Sequence, residues 1–262
     1  MKDPEELAKN LYLKGEYITK HPCLHEKESP WKVSKIVPFI DKLIDYMPPR
    51  RETNILDVGG GAGLILNLLS TYIHYTYDIK VNKYALDMSA DMLEIQRKRN
   101  PDLVKALSED IRKTSLGNKE LDLTLLIDVI EHVPNPTDAL EELRRISRFS
   151  ILKVPLEDNL VFRTWNLLRG GKPRKHNIEN FGHINLYNFK KFKDQIEKHA
   201  GKLLDYSFML EPDSRLNGAR HLANIPLLNR LRDFLASPVF LISPRLCSAV
   251  FGAYAIFLVE CY

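Results

Sequence analysis

Ile55-Leu56-Asp57-Val58-Gly59-Gly60-Gly61-Ala62-Gly63 is the stretch that decides the fold. An apolar run ends abruptly in a turn with glycines at 59, 61 and 63, and an apolar segment, Gly63 to Ser70, follows at once. Glycine lets the backbone take left-handed conformations and approach a ligand closely, because no Cβ intervenes. A helix starting just after the turn aims its unpaired N–H groups at the same spot, where a carboxylate or phosphate is stabilised. The pattern is therefore strand, ligand-binding turn, helix. The spacing is GxGxG with Leu64 next, one residue tighter than the GxGxxG of dinucleotide-binding turns, and leaves less room for a pyrophosphate.

Working outward, Lys83 to Met88 reads as a second strand that places Asp87 at its end, with Ser89 capping the next helix. A carboxylate at this place can accept both hydroxyls of a ribose. Leu103 to Leu107 reads as a third strand, followed by Ser108-Glu109-Asp110-Ile111, where Asp110 can take an exocyclic amine and Ile111 can cover a ring. Leu121 to Ile127 is continuously apolar, as a strand buried on both faces should be. A helix over Thr137 to Ser147 and a strand over Ser150 to Val154 complete an alternation that implies a doubly wound, mostly parallel sheet. Pro155 to Tyr187 reads as irregular and basic. Asn188 caps a helix that Gly201 closes, and Lys202 to Leu210 and Ala253 to Glu260 are the last two strands.

Before the core, Ser29-Pro30 starts a helix whose Val33, Val37, Ile40, Ile44 and Met47 share one face. Two units are expected: a helical lid or flank over 1–50, and a main domain over 51–262. The 156–187 loop and a Leu-, Pro- and Arg-rich insertion over 211–250 form substrate-side additions to the main domain.

Taken together, LDVGGGAG, ALDMSADMLEIQRKRNP, SEDI and LDLTLLIDVIEHVPNPTDALEELRRIS resemble the core of class I S-adenosylmethionine-dependent methyltransferases. The group it is most similar to includes ubiquinone- and menaquinone-type enzymes and many small-molecule enzymes. The later GHINLYNFKKFKDQIEKHAGK resembles the family's His-x-x-x-Tyr segment. The resemblance implies a Rossmann-like, doubly wound sheet of seven strands, mostly parallel with an antiparallel last strand. It implies that Asp57, Gly59, Gly61 and Gly63 surround the methionine part of S-adenosyl-L-methionine, that Asp87 holds the ribose and Met88 lies against the adenine, and that Asp110 and Ile111 bind its edge and face. Asp128 then sits near the sulfonium, facing the substrate, and His183 and Tyr187 border the acceptor pocket.

The expected activity is methyl transfer to an O, N or C atom of a small molecule, partly hydrophobic or anionic. His132, in Asp128-Val129-Ile130-Glu131-His132, is the candidate general base, since histidine titrates near neutral pH; Asp128 stands with it as catalytic. Asp128, Glu131 and His132 are also ligand types that can hold Mg²⁺, although no metal is assigned. An RNA or protein acceptor, a catalytically silent methyltransferase-like binding subunit, and a nucleotide-dependent oxidoreductase are the competing readings. Arg169, Lys172, Arg174, Lys175 and His176 form a basic cluster suited to an anionic group, but stacking aromatics are sparse there, which disfavours nucleic acid.

Composition narrows the class further. The 262 residues are 44% hydrophobic and 27% charged, the profile of a folded globular chain, with a mildly basic net charge of +4. Three dispersed cysteines, Cys23, Cys247 and Cys261, make no disulfide framework and suit a reducing, cytoplasmic setting. The N-terminus reads as no signal peptide, and prolines and Arg245 interrupt the apolar Phe234–Val259 region, which falls short of a spanning helix and reads as buried or partner-facing, with contact with a membrane surface as the remaining membrane option.

Overall fold

The computed structural model describes residues 26–210 and 227–262. Within them the sheet strands are β1 (Glu52–Val58), β2 (Lys80–Leu86), β3 (Leu103–Leu107), β4 (Leu121–Ile127), β5 (Ser147–Pro155), β6 (Lys202–Met209) and β7 (Tyr254–Glu260). Their order is β3-β2-β1-β4-β5-β7-β6. The pairs among β1 to β5 are parallel, and β7 runs antiparallel to both β5 and β6. The expected sheet, with its antiparallel last strand, is the one observed.

Alternation along β1 shows why it is central. Leu56 and Val58 enter one apolar core with Leu140, Leu143, Phe192 and Phe257. Ile55 enters the other, with Leu66, Leu69, Ile36 and Ile40. Each fully buried aliphatic chain contributes about 1.5–3 kcal/mol relative to exposure, so a one-residue slip of β1 would reverse both faces. One layer of helices holds α1 (Ser29–Tyr46) against α2 (Leu64–Tyr77). The opposite layer is built by α4 (Pro136–Ile146) and α7 (Phe189–Gln195), while α3 (Ala90–Arg99) follows β2. Ser89 caps α3 as expected, accepting the Met92 amide, and Asn188 caps α7, accepting the Lys191 amide at 2.9 Å.

The strand order reverses between β1 and β4, one pointing its helix to each side of the sheet. This is the crevice where open α/β sheets bind ligands. Register sets what meets there: Val58 pairs with Leu86 and Leu126, so Gly59 sits beside Asp87 and Ile127. Ile127 pairs with Lys153, which brings Asp128 to the end of β5.

The stretch from Pro155 to Tyr187 is not irregular. It forms α5 (Leu160–Leu168), α6 (Lys172–His176) and a π turn, Asn177–Phe181. The Asn159 side chain caps α5 by accepting the Phe162 amide at 2.9 Å. Prolines and basic residues dominate the sequence impression here, but Leu160, Val161, Trp165 and Leu168 have helical spacing. Between β6 and β7 lie α8 (Leu227–Ile242) and α9 (Pro244–Val250). The expectations for residues 1–25 and 211–226 lie outside the described residues. No described helix is long and apolar enough to cross a membrane.

Candidate functional site

A cavity of about 420 Å³ opens at the β1–β4 crevice. Its walls come from the glycine turn (Asp57, Gly59, Gly60, Gly61), from the end of β4 (Asp128, Glu131, His132) and from β5 (Lys153). Trp31 and Lys32 of α1, with Glu157, Phe181 and His183, line it as well. Pockets of this size hold ligands of a few hundred daltons.

The turn has the geometry its glycines predict. Gly59, Gly61 and Gly63 have φ of +60°, +54° and +72°, which disfavours any residue with a side chain. At Gly60 the reason is space, since a Cβ there would overlap the Asp57 carboxylate. Asp57 is buried, and its Oδ2 has no hydrogen-bond partner among the described residues. Burial, and then the nearby Asp87, push its carboxyl up to about 7. A cationic ligand group would satisfy that orphaned oxygen, and this is how the turn fits the ammonium of an amino-acid-bearing cofactor.

The folded protein holds a proton on Asp57 between about pH 4, where an unfolded Asp titrates, and about pH 7. Stability from this group is therefore full below pH 4 and lost as pH rises to 7. We expect Asp57→Asn to be more stable than the parent at pH 8 and to lose that advantage at pH 4, by urea unfolding. Parallel pH profiles would show that Asp57 ionises normally.

Asp87 follows β2, is buried, and accepts the Ser89 amide at 2.9 Å. Burial raises it to about 6 against that bond. It stands beside Gly59, whose amide donates to Leu86 O at 2.8 Å. Met88 is half-buried and Ile111 buried. Of these residues and Asp110, only Asp87 is set beside the turn by strand register; all follow the ends of β2 or β3, and none forms the cavity wall. Asp110 differs from expectation: both its oxygens accept from Arg112, at 2.7–3.1 Å, so its carboxylate is already engaged.

At the other end Asp128 has φ +58° and lies between two cations. It pairs with Lys153 of β5 and, at 3.0 Å, with Lys32 of α1. Burial opposes ionisation, but the two ammonium groups overcome it and hold the Asp128 carboxyl well below the usual range. Lys153 is pulled down by burial and by Lys32. Lys32 is raised on balance, burial being outweighed by Asp128 and Glu28. The anion is thus stabilised, and the more deeply buried Lys153 is the cation that gives up its proton more readily. Lys153 also lies 4.0 Å over the Tyr254 ring, a cation–π contact.

The third part is a cluster of Glu131, His132 and His183, whose ligating atoms all lie within 4.8 Å of one another. His132 Nδ1 lies 3.0 Å from Gly182 O, which can only accept, so Nδ1 carries the proton and the neutral ring has its lone pair at Nε2. The His132 and His183 rings meet edge to face at 4.9 Å. His183 Nδ1 bonds Glu157 at 2.9 Å. Burial lowers the His183 imidazole, but Glu157, Glu131 and Asp128 raise it overall. Glu131 is pushed well above the usual carboxylate range by burial and then by Asp128. Compared with the donor set suggested by sequence, His183 replaces Asp128, which the lysines have taken.

Tyr187 is a correction. It is buried in the core against Phe192, with ring centroids 4.6 Å apart, and does not border the cavity. Its neighbour in the motif, His183, does. Sequence reading missed Lys32, Glu157, Phe181 and Lys153. Only Lys153 left a signal, as the single charge in the apolar Ser150–Val154 run.

Comparison with known proteins bears on the same elements. A family model described as "Methyltransferase domain" matches residues 56–149, from β1 into β5. This stretch is a methyltransferase domain. It includes the glycine turn, Asp87, Asp110 and the Asp128–His132 loop, and adjoins Lys153. No curated protein matches the chain. Among solved structures, a protein from Galdieria sulphuraria provisionally assigned as a sarcosine dimethylglycine methyltransferase shares 10% identity at a TM-score of 0.57, covering 88% of this chain and 84% of that one. Phosphoethanolamine N-methyltransferase 2 of Haemonchus contortus, bound to S-adenosyl-L-methionine, shares 14% at 0.50, covering 84% of this chain and 51% of its own. The [4+2]-cyclase SpnF shares 14% at 0.52, over 85% and 80%. At these identities the likeness is one of fold, and a fold hosts more than one chemistry.

Proposed function

We propose that the methyltransferase domain binds S-adenosyl-L-methionine and transfers its methyl group to an O, N or C nucleophile of a small molecule held between Asp128, His132 and His183. The observation that carries this reading is the single cavity running from the glycine turn and the orphaned Asp57 oxygen to the two histidines. Asp57, Gly59, Gly61 and Gly63 would hold the amino-acid end of the cofactor, and Asp87 the ribose. Met88 and Ile111 would flank the adenine, with Asp110 at its edge if Arg112 yields.

The cofactor supplies an activated methyl donor. The chain then has to position the acceptor, and alignment of reacting atoms can contribute about 7–11 kcal/mol. Trp31 and Phe181 supply apolar wall. Lys32 and Lys153 favour an acceptor with a negative or electron-rich group near Asp128. His132 Nε2 is the atom placed to take a proton when the acceptor is a hydroxyl or protonated amine, with Gly182 O fixing its tautomer.

Thermal unfolding with S-adenosylhomocysteine and, separately, NAD tests the reading. A ligand at 100 times its Kd stabilises by about 2.7 kcal/mol, a shift of several degrees for a domain of this size. We expect that shift with the adenosyl ligand and none with NAD; the reverse pattern would move the chain to the oxidoreductase reading.

A further inference from the structure

We propose that α5 and α8, joined by α9, form a docking face for the surface of an anionic lipid bilayer. On α8, Phe234, Leu235, Pro238, Leu241 and Ile242 fall on one helical stripe, and all are exposed, Leu241 and Ile242 at 86% each. Ala236, on the other side of the helix, is buried. On α5, Leu160, Val161, Leu167 and Leu168 form a second exposed stripe, Leu167 at 80% and Leu168 at 74%. α9 packs against both helices, and its Leu246 is exposed too. Aliphatic side chains left in water on two neighbouring helices mark a surface meant to be covered.

Charge identifies what covers it. From Asn159 to Ile178 the sequence carries five cations: Arg163 pairs with Asp158, Lys175 lies 3.7 Å from Glu179, Arg174 donates to the His183 and Ile184 carbonyls, and Arg169 and Lys172 are exposed without an acid in that window. After Asp233 of α8, the sequence from Phe234 to Val259 has no acid, and Arg245 is exposed at the start of α9. Arg169 and Lys172 are exposed where α5 ends. An apolar stripe edged by the exposed Arg169, Lys172 and Arg245 matches a headgroup layer that is negative outside and apolar beneath. A protein partner would more often be met by aromatic anchors; here Leu167, Leu168, Leu241 and Ile242 are all more exposed than the aromatic on the stripe, Phe234 at 66%. α8 spans 16 residues, about 24 Å at 1.5 Å per residue, too short to cross a bilayer and suited to lying in its plane.

Co-sedimentation of the full chain with vesicles tests this, and needs no cofactor, so the outcome is separate from that of the methyl-transfer reading. We expect binding to phosphatidylcholine–phosphatidylglycerol vesicles at least about tenfold tighter than to pure phosphatidylcholine, and weakened by salt. The variants L241D/I242D and L167D/L168D should each lower binding at least about tenfold, with unchanged thermal unfolding because all four side chains are exposed. Absence of sedimentation with the anionic vesicles, or equal sedimentation of parent and variants, overturns the proposal. So does a chain dimer that these substitutions dissociate in the absence of any vesicle binding, which would make the face a subunit interface.

Discussion

Asp128→Asn is expected to lose about 3–5 kcal/mol of stability at pH 7, the usual cost of leaving a buried charge without its partner. The substitution keeps a residue type that tolerates the left-handed φ of +58°, so the loss reads charge rather than backbone strain. It leaves Lys153, almost wholly buried, facing Lys32 with no carboxylate between them. Lys32 retains Glu28 at 3.4 Å; Lys153 bears the cost. Lys153 is already depressed by burial and by Lys32, and losing Asp128 depresses it further. The unfolded variant then holds more protons than the folded one, so its stability should rise with pH above 7. Urea unfolding at pH 7 and pH 9 reads both effects, and Asp128→Asn/Lys153→Met should recover most of the loss. A single variant as stable as the parent would mean that the lysines and Asp128 are solvated independently.

Asp87→Ala should weaken S-adenosylhomocysteine about 10- to 100-fold in calorimetry, since a hydrogen bond to a charged group contributes about 1.5–3 kcal/mol. Asp87→Asn keeps the acceptor for the Ser89 amide and separates binding from folding. Because burial raises Asp87 to about 6, its ionised form is a burden on the folded state at pH 8. The Asn variant should therefore bind more weakly while unfolding no more easily at that pH. Unchanged affinity in the Ala variant would remove Asp87 from the ligand site and, with it, the convergence of turn and strand end on one adenosyl group.

The parts of the fold that were legible in sequence are those specified by local pattern. β3 and β4 lie at the residues where their apolar runs do, and Ser89 and Asn188 cap the helices their hydroxyl and amide types predict. The glycine turn was legible for the same reason, since positive φ and a forbidden Cβ at Gly60 leave a direct residue-type trace. α5 was not, because its apolar spacing is interrupted by Arg163, Thr164 and Asn166 and its start depends on Asn159, a residue equally at home in a loop.

The acceptor side divides similarly. His132 and His183 are recognisable as titratable groups in a suggestive segment, and both border the cavity. Tyr187 belongs to the same motif, yet its ring is buried against Phe192, because which face of a segment turns inward is settled by what packs on it.

The amino-acid order alone determined the strand–turn–helix at Gly59–Gly63, the alternation that makes the doubly wound sheet, and the acid at the end of β2, since each depends on residues close in the chain. Only the folded molecule decided that Lys32, far away on α1, meets Asp128 and Lys153, and that His183 joins Glu131 and His132. Those meetings follow from strand register and helix packing, where distant side chains share one low-dielectric space and set one another's charge.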